Sequence, residues 1–169
     1  IYIFNDLIDL NSDRGNNLKQ FRPLASGNVS LIFFISALPI MLFFGLVFTY
    51  LFFAELLPLI YAYIFISLSY SMYFKKKVLV DIIILSGLYT LRLLVGAKAA
   101  LMTVSFWILA FSIFIFLALA SIKRFSEKSY IKNIQMNNLS RRGYAKEDIK
   151  ILEQIGLISS FAACIVFAL

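Results

Sequence analysis

The sequence contains no histidine and only one cysteine, Cys164. The absence of histidine excludes His-ligated zinc and every nucleophile triad that depends on an imidazole. A single cysteine has no partner within the chain, so no disulfide framework can form. Charge is also scarce, since Asp, Glu, Lys and Arg make up 15% of the residues, whereas 62% are hydrophobic. Soluble domains contain about 45–50% apolar residues, so the composition predicts an integral membrane protein.

The apolar residues form long runs separated by charged segments. Residues 29–74 carry no charge except Glu55, and as one helix they would extend about 69 Å, more than twice a hydrocarbon core of about 30 Å. This run therefore predicts two crossings. The pattern predicts one all-α, multi-helix transmembrane domain with a helix end at 1–10, a loop at 11–28, spans at about 29–50, 56–74, 79–98 and 101–122, a loop at 123–149, and the start of a further span at 150–169.

The chain begins at Ile1 rather than methionine and ends at Leu169 inside an apolar run. We therefore expect it to be part of a longer protein, truncated at both ends.

Basic residues predict the orientation of these spans. Nearly all of the 16 lysines and arginines lie in the first loop, in the run Lys75–Lys77, and in the loop that follows the fourth span. Alternating crossings place these segments on one side, which the positive-inside rule assigns to the cytoplasm. We expect a bacterial-type inner membrane with the charged side facing the cytoplasm. The net charge of +7 favours membrane lipids and phosphates as partners, and the hydrophobicity argues against nucleic acid.

A polar stretch at residues 5–14 gathers carboxylates within an otherwise apolar chain. Asn5, Asp9 and Asp13 recur at every fourth position and share one helix face, with Asp6 beside them. Carboxylates this close repel one another unless positive charge lies between them, and Mg²⁺ takes oxygen ligands together with substrate phosphate oxygens. The stretch predicts a Mg²⁺–diphosphate site at the membrane surface. The alternative is an acidic helix end beside a solvated loop.

Two ionisable residues fall inside the third predicted span. Asp81 lies near its cytoplasmic end, and Arg92 follows on nearly the same helix face, about 16 Å further along the axis. Ionisable groups inside a membrane are costly and usually face a protein interior or a wet cavity. Asp81 is therefore a candidate site residue, while a structural salt bridge to another helix is an equal alternative for Arg92.

Basic residues in the loops are candidates for holding phosphate oxygens. Lys19, Arg22 and the run that begins at Lys75 suit this role, although anchoring to anionic lipid headgroups is an alternative for the lysines. Tyr70 closes the preceding span, where aromatic residues commonly mark the membrane interface. Lys123, Arg124 and Glu127 repeat the pattern at the end of the fourth span, where a surface ion pair is the alternative for Arg124 and Glu127.

Several of these motifs, in order, resemble the UbiA superfamily of intramembrane prenyltransferases. The first aspartate-rich signature of that superfamily is similar to residues 5–14 followed by Lys19 and residues 22–27. Further blocks resemble the branch that includes decaprenyl-phosphate phosphoribosyltransferase: residues 70–75, Asp81, residues 88–97, 105–107 and 123–128, and Arg142–Tyr144 followed by Asp148.

The resemblance implies a bundle of nine transmembrane helices around a cavity open to the membrane. It also implies a transferase with Mg²⁺ as cofactor, in which phosphoribosyl pyrophosphate is the donor and a polyprenyl phosphate the lipid acceptor. Asn5, Asp6, Asp9 and Asp13 would hold the metal and diphosphate, with Asp9, Asp13 and Asp81 as catalytic residues. Residues that bind substrate and diphosphate would be Lys19, Arg22, Tyr70, Lys75, Arg92, Lys123, Arg124 and Glu127.

One departure separates branches of this superfamily. Many aromatic prenyltransferases carry a second Asp-x-x-x-Asp motif in the loop occupied here by residues 125–148, which has no such pair. This favours phosphoribosyl transfer over the alternative, prenyl transfer from a prenyl diphosphate to an aromatic acceptor. Two further alternatives are a transporter that uses Asp81 and Arg92 along an ion path, and a non-catalytic membrane scaffold.

Overall fold

A computed structural model describes residues 2–15, 19–133 and 148–169. This part of the chain contains helices and no strand, which confirms the all-α prediction. The α-helices are α1 (Tyr2–Arg14), α2 (Leu31–Phe52), α3 (Leu57–Met72), α4 (Val80–Ala99), α5 (Phe106–Asn133) and α6 (Asp148–Ala168), with short 3-10 helices at Ala54–Leu56 and Phe74–Lys76. They form two compact units, Ile1–Met72 and Tyr73–Leu169.

Five helical segments are long and apolar enough to cross a membrane, as an integral membrane protein requires. They are Leu31–Phe52, Ala54–Met72, Val80–Ala99, Phe106–Glu127 and Asp148–Ala168. The turn between the first two spans lies at Phe53–Leu56, and Pro58 occupies the first turn of α3. Proline fits there because the first N–H groups of a helix have no partner within the helix.

Two helices continue into regions for which the sequence predicted loops. The helix α1 extends to Arg14, and a basic residue in the last turn complements the helix dipole. The helix α5 extends to Asn133, well past the predicted end of the span at residue 122. Lysine, arginine and glutamate favour helix, and Arg124 pairs with Glu127 at i,i+3, so the end of the apolar run does not end the helix. Residues 134–147, with Arg142–Tyr144, lie outside the described residues.

In the first unit, α2 is apolar on all sides, and no residue in its most hydrophobic 18-residue window is buried. Such a surface is typical of a helix that faces lipid. The Ser30 hydroxyl begins the helix by accepting a hydrogen bond from the Phe33 N–H at 3.3 Å. Near its end, Thr49 donates to the Gly45 carbonyl at 2.8 Å, which satisfies the hydroxyl within the helix.

In the second unit, α5 lies between α4 and α6. Asp81 and Thr90 of α4 meet Arg124 and Ser112 of α5, so the two helices run antiparallel. The core consists of Ile82, Ala120 and Leu152, one residue from each helix.

Small residues line the seam between α5 and α6, among them the buried Ser121, Gly156 and Ala163. A Cβ atom at Gly156 would lie 3.5 Å from Ser121 Cβ. The helices therefore approach closely, as small residues permit in membrane proteins.

Candidate functional site

The polar face of α1 forms one cluster of charged side chains in the first unit. A single guanidinium nitrogen, Arg22 Nη1, donates to Asp6 Oδ1 at 2.9 Å and to Asp13 Oδ2 at 2.8 Å. The side chains of Arg22, Asp6 and Asp13 are 38%, 29% and 6% exposed. We call these three residues the Arg22 cluster. The two aspartates lie seven positions apart, two helical turns, so helix geometry brings their carboxylates to one face.

A compact series of turns carries Arg22 to this face. The Arg22 N–H donates to the Lys19 carbonyl at 3.1 Å, and the Ser26 N–H donates to the Arg22 carbonyl at 2.8 Å. Leu24 is buried and anchors the segment. Gly27 follows with φ of 81°, a left-handed conformation that favours glycine, and lets the chain turn toward the start of α2.

The carboxylates of α1 are close enough for their charges to affect the pKa of Asp6. Burial raises the pKa of the Asp6 carboxyl above its ordinary value; the Arg22 charge opposes this shift, and the charges of Asp13 and Asp9 add to it. The helix α1 is not among the five segments that could cross a membrane. The charge of Asp9 therefore acts on Asp6, and its membership of a common ligand face stays a prediction.

The carboxylates of Asp6 and Asp13 in the Arg22 cluster would be the ligands available to a metal that takes few protein ligands. In the described ranges, no group of three or more Asp, Glu, His or Cys side chains could hold a metal ion. Mg²⁺ commonly uses one or two carboxylates and completes its shell with water and substrate phosphates. Asp6 and Asp13 already converge on one positive group, which is the arrangement that such a cation needs. The full ligand set of Asn5, Asp6, Asp9 and Asp13 stays a prediction.

A second cluster lies in the second unit and joins α4 to α5. Arg124 donates to both carboxylate oxygens of Asp81, from Nε to Oδ2 and from Nη2 to Oδ1, the latter at 3.1 Å. Its third nitrogen, Nη1, donates to Glu127 Oε2 at 3.2 Å. The side chains of Asp81, Arg124 and Glu127 are 0%, 4% and 33% exposed. We call these three residues the Arg124 cluster.

Local structure explains why these three side chains meet. Asp81 lies in the first turn of α4, where a carboxylate is stabilised by the helix dipole. Arg124 and Glu127 share one face of α5 at i,i+3. Because α4 and α5 are antiparallel, the beginning of α4 lies beside this part of α5. Two parallel N–H···O bonds between an arginine and a carboxylate form the strongest common geometry for such a pair.

The sequence suggested a surface ion pair as one interpretation of Arg124 and Glu127; the ion pair is present, but its arginine is buried rather than at the surface. The pairing with Asp81 was missed. The signal for it is present in the sequence, since opposite charges stand at the start of one span and at the end of the next.

The remaining predicted residues lie in several elements of both units. The Arg92 guanidinium lies 5.2 Å from the centre of the Tyr89 ring, a cation–π contact. Tyr70 is buried in α3, and Lys75 is buried in the 3-10 helix Phe74–Lys76. Three others lie in α1, in the turns before Arg22 and on the exposed side of α5: Asn5, Lys19 and Lys123. Their predicted roles stay predictions.

A comparison with known protein families gives a match over nearly the whole chain. The sequence profile described as the UbiA prenyltransferase family matches residues 1–168.

Individual relatives share the same region. An uncharacterized protein of Sinorhizobium fredii, y4nM, is 30% identical over 168 residues, which are 99% of this chain and 33% of the relative. The nodulation protein NoeC of Azorhizobium caulinodans is 33% identical over 165 residues, which are 98% of this chain and 54% of NoeC. A decaprenyl-phosphate phosphoribosyltransferase of Mycolicibacterium smegmatis is 32% identical over 127 residues, 75% of this chain and 40% of that enzyme. The chain thus spans from a third to about half the length of these relatives.

Proposed function

The chain belongs to the UbiA prenyltransferase family, and from this premise we propose that the full-length protein is a membrane-embedded transferase with a diphosphate donor. We propose phosphoribosyl pyrophosphate as the donor and a polyprenyl phosphate as the acceptor. Relatives named decaprenyl-phosphate phosphoribosyltransferase support this choice. The observation that carries the proposal is the convergence of Asp6 and Asp13 on one positive group at the polar face of α1.

The Arg22 cluster suits a charged diphosphate for two reasons. Its carboxylates would hold Mg²⁺, which would offset the negative charge of the departing diphosphate. Its arginine is partly exposed and carries a planar guanidinium, which matches phosphate oxygens with two parallel hydrogen bonds. Asp9 adds a third carboxylate on the same helix. Lys19 lies three residues before Arg22 and supplies a second positive charge near the donor phosphates.

The proposed reaction is a substitution at the anomeric carbon of the donor ribose. A phosphate oxygen of the lipid acceptor forms a bond to this carbon, the bond between the carbon and the diphosphate oxygen breaks, and diphosphate leaves with the electron pair. Arg22 and Lys19 stabilise the negative charge on the leaving group. Five apolar segments are able to cross a membrane. They would place the protein in the same bilayer as the polyprenyl chain of the acceptor.

The experiment that tests this proposal compares donors on the full-length protein. Purified protein in lipid nanodiscs is supplied with radiolabelled phosphoribosyl pyrophosphate and a polyprenyl phosphate, with Mg²⁺ or with a chelator. We expect a phosphoribosyl lipid that forms only with Mg²⁺. A parallel reaction contains a prenyl diphosphate and an aromatic acid. A prenylated aromatic product together with no phosphoribosyl lipid would replace the proposal by prenyl transfer.

A matched pair of variants ties activity to α1. Asp9→Asn removes a carboxylate from the proposed metal face while preserving side-chain shape, and we expect a rate loss of at least about 100-fold. Glu55→Gln makes the same chemical change at an exposed position between α2 and α3, and we expect activity within about twofold of the unaltered protein. Equal activity of both variants would exclude the proposed metal face.

We also propose that the charged segments face the cytoplasm across a bacterial inner membrane. The basic residues in the first loop and near the ends of the spans support this orientation. A cysteine is introduced at the exposed Ser26 in a variant from which Cys164 and any other cysteine have been removed. Its accessibility is tested with a membrane-impermeant maleimide. Labelling in inside-out vesicles and not in intact cells is expected, and the reverse result would invert the topology.

A further inference from the structure

The segment that leads into α4 carries three consecutive lysines, and the structure separates them. Lys75 is buried, with 5% of its surface exposed, whereas Lys76 and Lys77 are exposed. Lys75 and Lys76 lie in the 3-10 helix Phe74–Lys76, in which successive side chains point about 120° apart. Lys77 leaves this helix in extended backbone. One lysine therefore faces the protein, and its two neighbours face outward.

The two outward lysines lie close to the start of a membrane span. The Val80 N–H donates to the Val78 carbonyl at 2.8 Å, and Leu79 between them has φ of 64°. This is a γ-turn, a hydrogen-bonded turn of three residues, and it leads directly into α4, which is apolar enough to cross a membrane. Three residues extend at most about 11 Å, so the backbone of Lys77 lies within that distance of the span.

Apolar contacts hold this turn against the second unit. Val78 and Leu79 are partly buried and pack against the core of Ile82, Ala120 and Leu152. The segment therefore cannot extend away from the end of α4. Salt screens charges over about 8–10 Å, a distance similar to that between the outward lysines and the start of the span. Charged headgroups at the membrane surface would act on these lysines with little screening.

Aromatic side chains accompany the two lysines. Tyr73 is 65% exposed, and tyrosine is enriched at membrane interfaces, where its ring meets apolar chains and its hydroxyl meets water. The Lys77 ammonium lies 5.8 Å from the centre of the Phe74 ring, a cation–π contact. Residues 56–80 contain no acidic residue, so this stretch supplies no carboxylate of its own to the lysines.

We propose that Tyr73, Lys76 and Lys77 form a binding surface for the headgroups of anionic phospholipids, which we call the lysine surface. Charge complementarity selects this partner, because basic residues beside a membrane span attract anionic lipids. The buried Lys75 is not part of the surface, so neighbouring lysines of one run have different roles. The inference is independent of the proposed reaction, since it concerns the lipid around the protein and not the substrate.

Fluorescence quenching by brominated lipids tests the surface at the position of Tyr73. Tyr73→Trp is made in full-length protein from which Trp107 and any other tryptophan have been removed. The protein is reconstituted in phosphatidylcholine with increasing amounts of brominated phosphatidylglycerol or brominated phosphatidylcholine. We expect the anionic lipid to bind beside this tryptophan about fivefold more tightly, the order expected for one basic residue near an anionic surface. Equal binding of the two lipids would overturn the proposal.

Variants of the lysines show whether their charge causes the preference. In the same reporter protein, Lys76→Gln combined with Lys77→Gln should lower the preference to less than about 1.5-fold, whereas Lys76→Arg combined with Lys77→Arg should retain it. Lys98→Gln removes an exposed cation from the last turn of α4 and is the control, with an unchanged preference expected. A preference that survives the double glutamine change would overturn the proposal.

The natural Trp107 shows whether the effect is local. It lies at the start of α5 and is 52% exposed, and because α4 and α5 are antiparallel it is remote from the start of α4. In a protein that keeps only Trp107, the double glutamine change should alter the relative binding of the two lipids by less than about 1.5-fold. An equal change at both reporters would overturn a specific surface. If the double glutamine variant does not insert, the reporter protein at 1 M salt, where charges are screened within about 3 Å, decides the question: its preference should disappear, and a preference that persists would overturn the proposal.

Discussion

The two charged clusters have the same composition, two carboxylates and one arginine, but they hold the arginine differently. In the Arg22 cluster one nitrogen is shared by both carboxylates, and the arginine is more than one-third exposed. In the Arg124 cluster all three nitrogens are engaged, and the arginine is almost completely buried. A partly exposed pair such as Arg22 and Asp6 contributes little to stability, whereas a buried fork is costly to break. The first cluster therefore suits exchange of partners, and the second suits permanent positioning.

The largest effect expected from this comparison is on stability in the second unit. Asp81→Ala leaves the buried Arg124 without its bidentate partner, and the unfolding free energy should fall by about 3–5 kcal/mol. Unfolding of the full-length protein in detergent measures it. Glu153→Ala, which removes an exposed acid from α6, is the control and should change the unfolding free energy by less than about 0.5 kcal/mol. A fall below 1 kcal/mol for Asp81→Ala would mean that the pair is not stabilising and that the two clusters differ less than their burial indicates.

The next effect is on catalysis in the first unit. Asp13→Asn removes one of the two carboxylates that meet at Arg22, and kcat should fall by about 100-fold, equivalent to about 2.7 kcal/mol of barrier. Bound Mn²⁺, counted by electron paramagnetic resonance, should fall in parallel. Unchanged metal binding together with the lost rate would assign Asp13 to another role than metal ligation.

A smaller effect is expected for the exposed arginine. Arg22→Gln should raise the KM for the donor by about tenfold, equivalent to about 1.4 kcal/mol, because a charged contact with phosphate is lost. Its effect on the unfolding free energy should stay below the roughly 3–5 kcal/mol expected for Asp81→Ala, because Arg22 itself is partly exposed even though its partner Asp13 is nearly buried. Lys98→Gln, which removes an exposed cation from the last turn of α4, is the control. A loss of stability as large as that expected for Asp81→Ala would contradict the exchangeable character of this cluster.

The smallest expected effect is the change in stability when the same chemical change is made in both clusters. Asp6→Asn and Asp81→Asn both replace a carboxylate by an amide, the first at a partly exposed position and the second at a buried one. Unfolding free energy should change by less than about 1 kcal/mol in Asp6→Asn and by clearly more in Asp81→Asn. Equal changes in the two variants would show that burial does not distinguish the clusters.

Much of the fold follows from the sequence because hydropathy and charge determine where a chain can cross a membrane. The run of residues 29–74, with Glu55 as its one charge, predicts two crossings, and the structure turns at Phe53–Leu56. The ends of helices are less predictable, since hydropathy records the membrane boundary and not the helix boundary. The helix α5 continues to Asn133 because its polar end is rich in residues that favour helix.

The sequence predicts contacts between residues of one helix, but not contacts between residues that lie far apart along the chain. Asp6 and Asp13 share a face because of helix periodicity alone, which a sequence contains. Arg124 reaches Asp81 across 43 positions, and periodicity carries no information about which helices pack together. Arg92 illustrates the same limit. It shares a helix face with Asp81, yet it lies at another depth and meets the Tyr89 ring instead.

The close seam between α5 and α6 has a consequence for variants far from any charge. Ser121 and Arg124 are one turn apart on α5, and Ser121 faces Gly156 of α6 at van der Waals distance from a would-be Cβ atom. A bulky side chain at Gly156 would push α5 sideways and misalign the guanidinium without touching it. Substitutions that enlarge the glycine, alanine and serine side chains of α6 should therefore lower activity, as substitutions of the acidic and basic residues do.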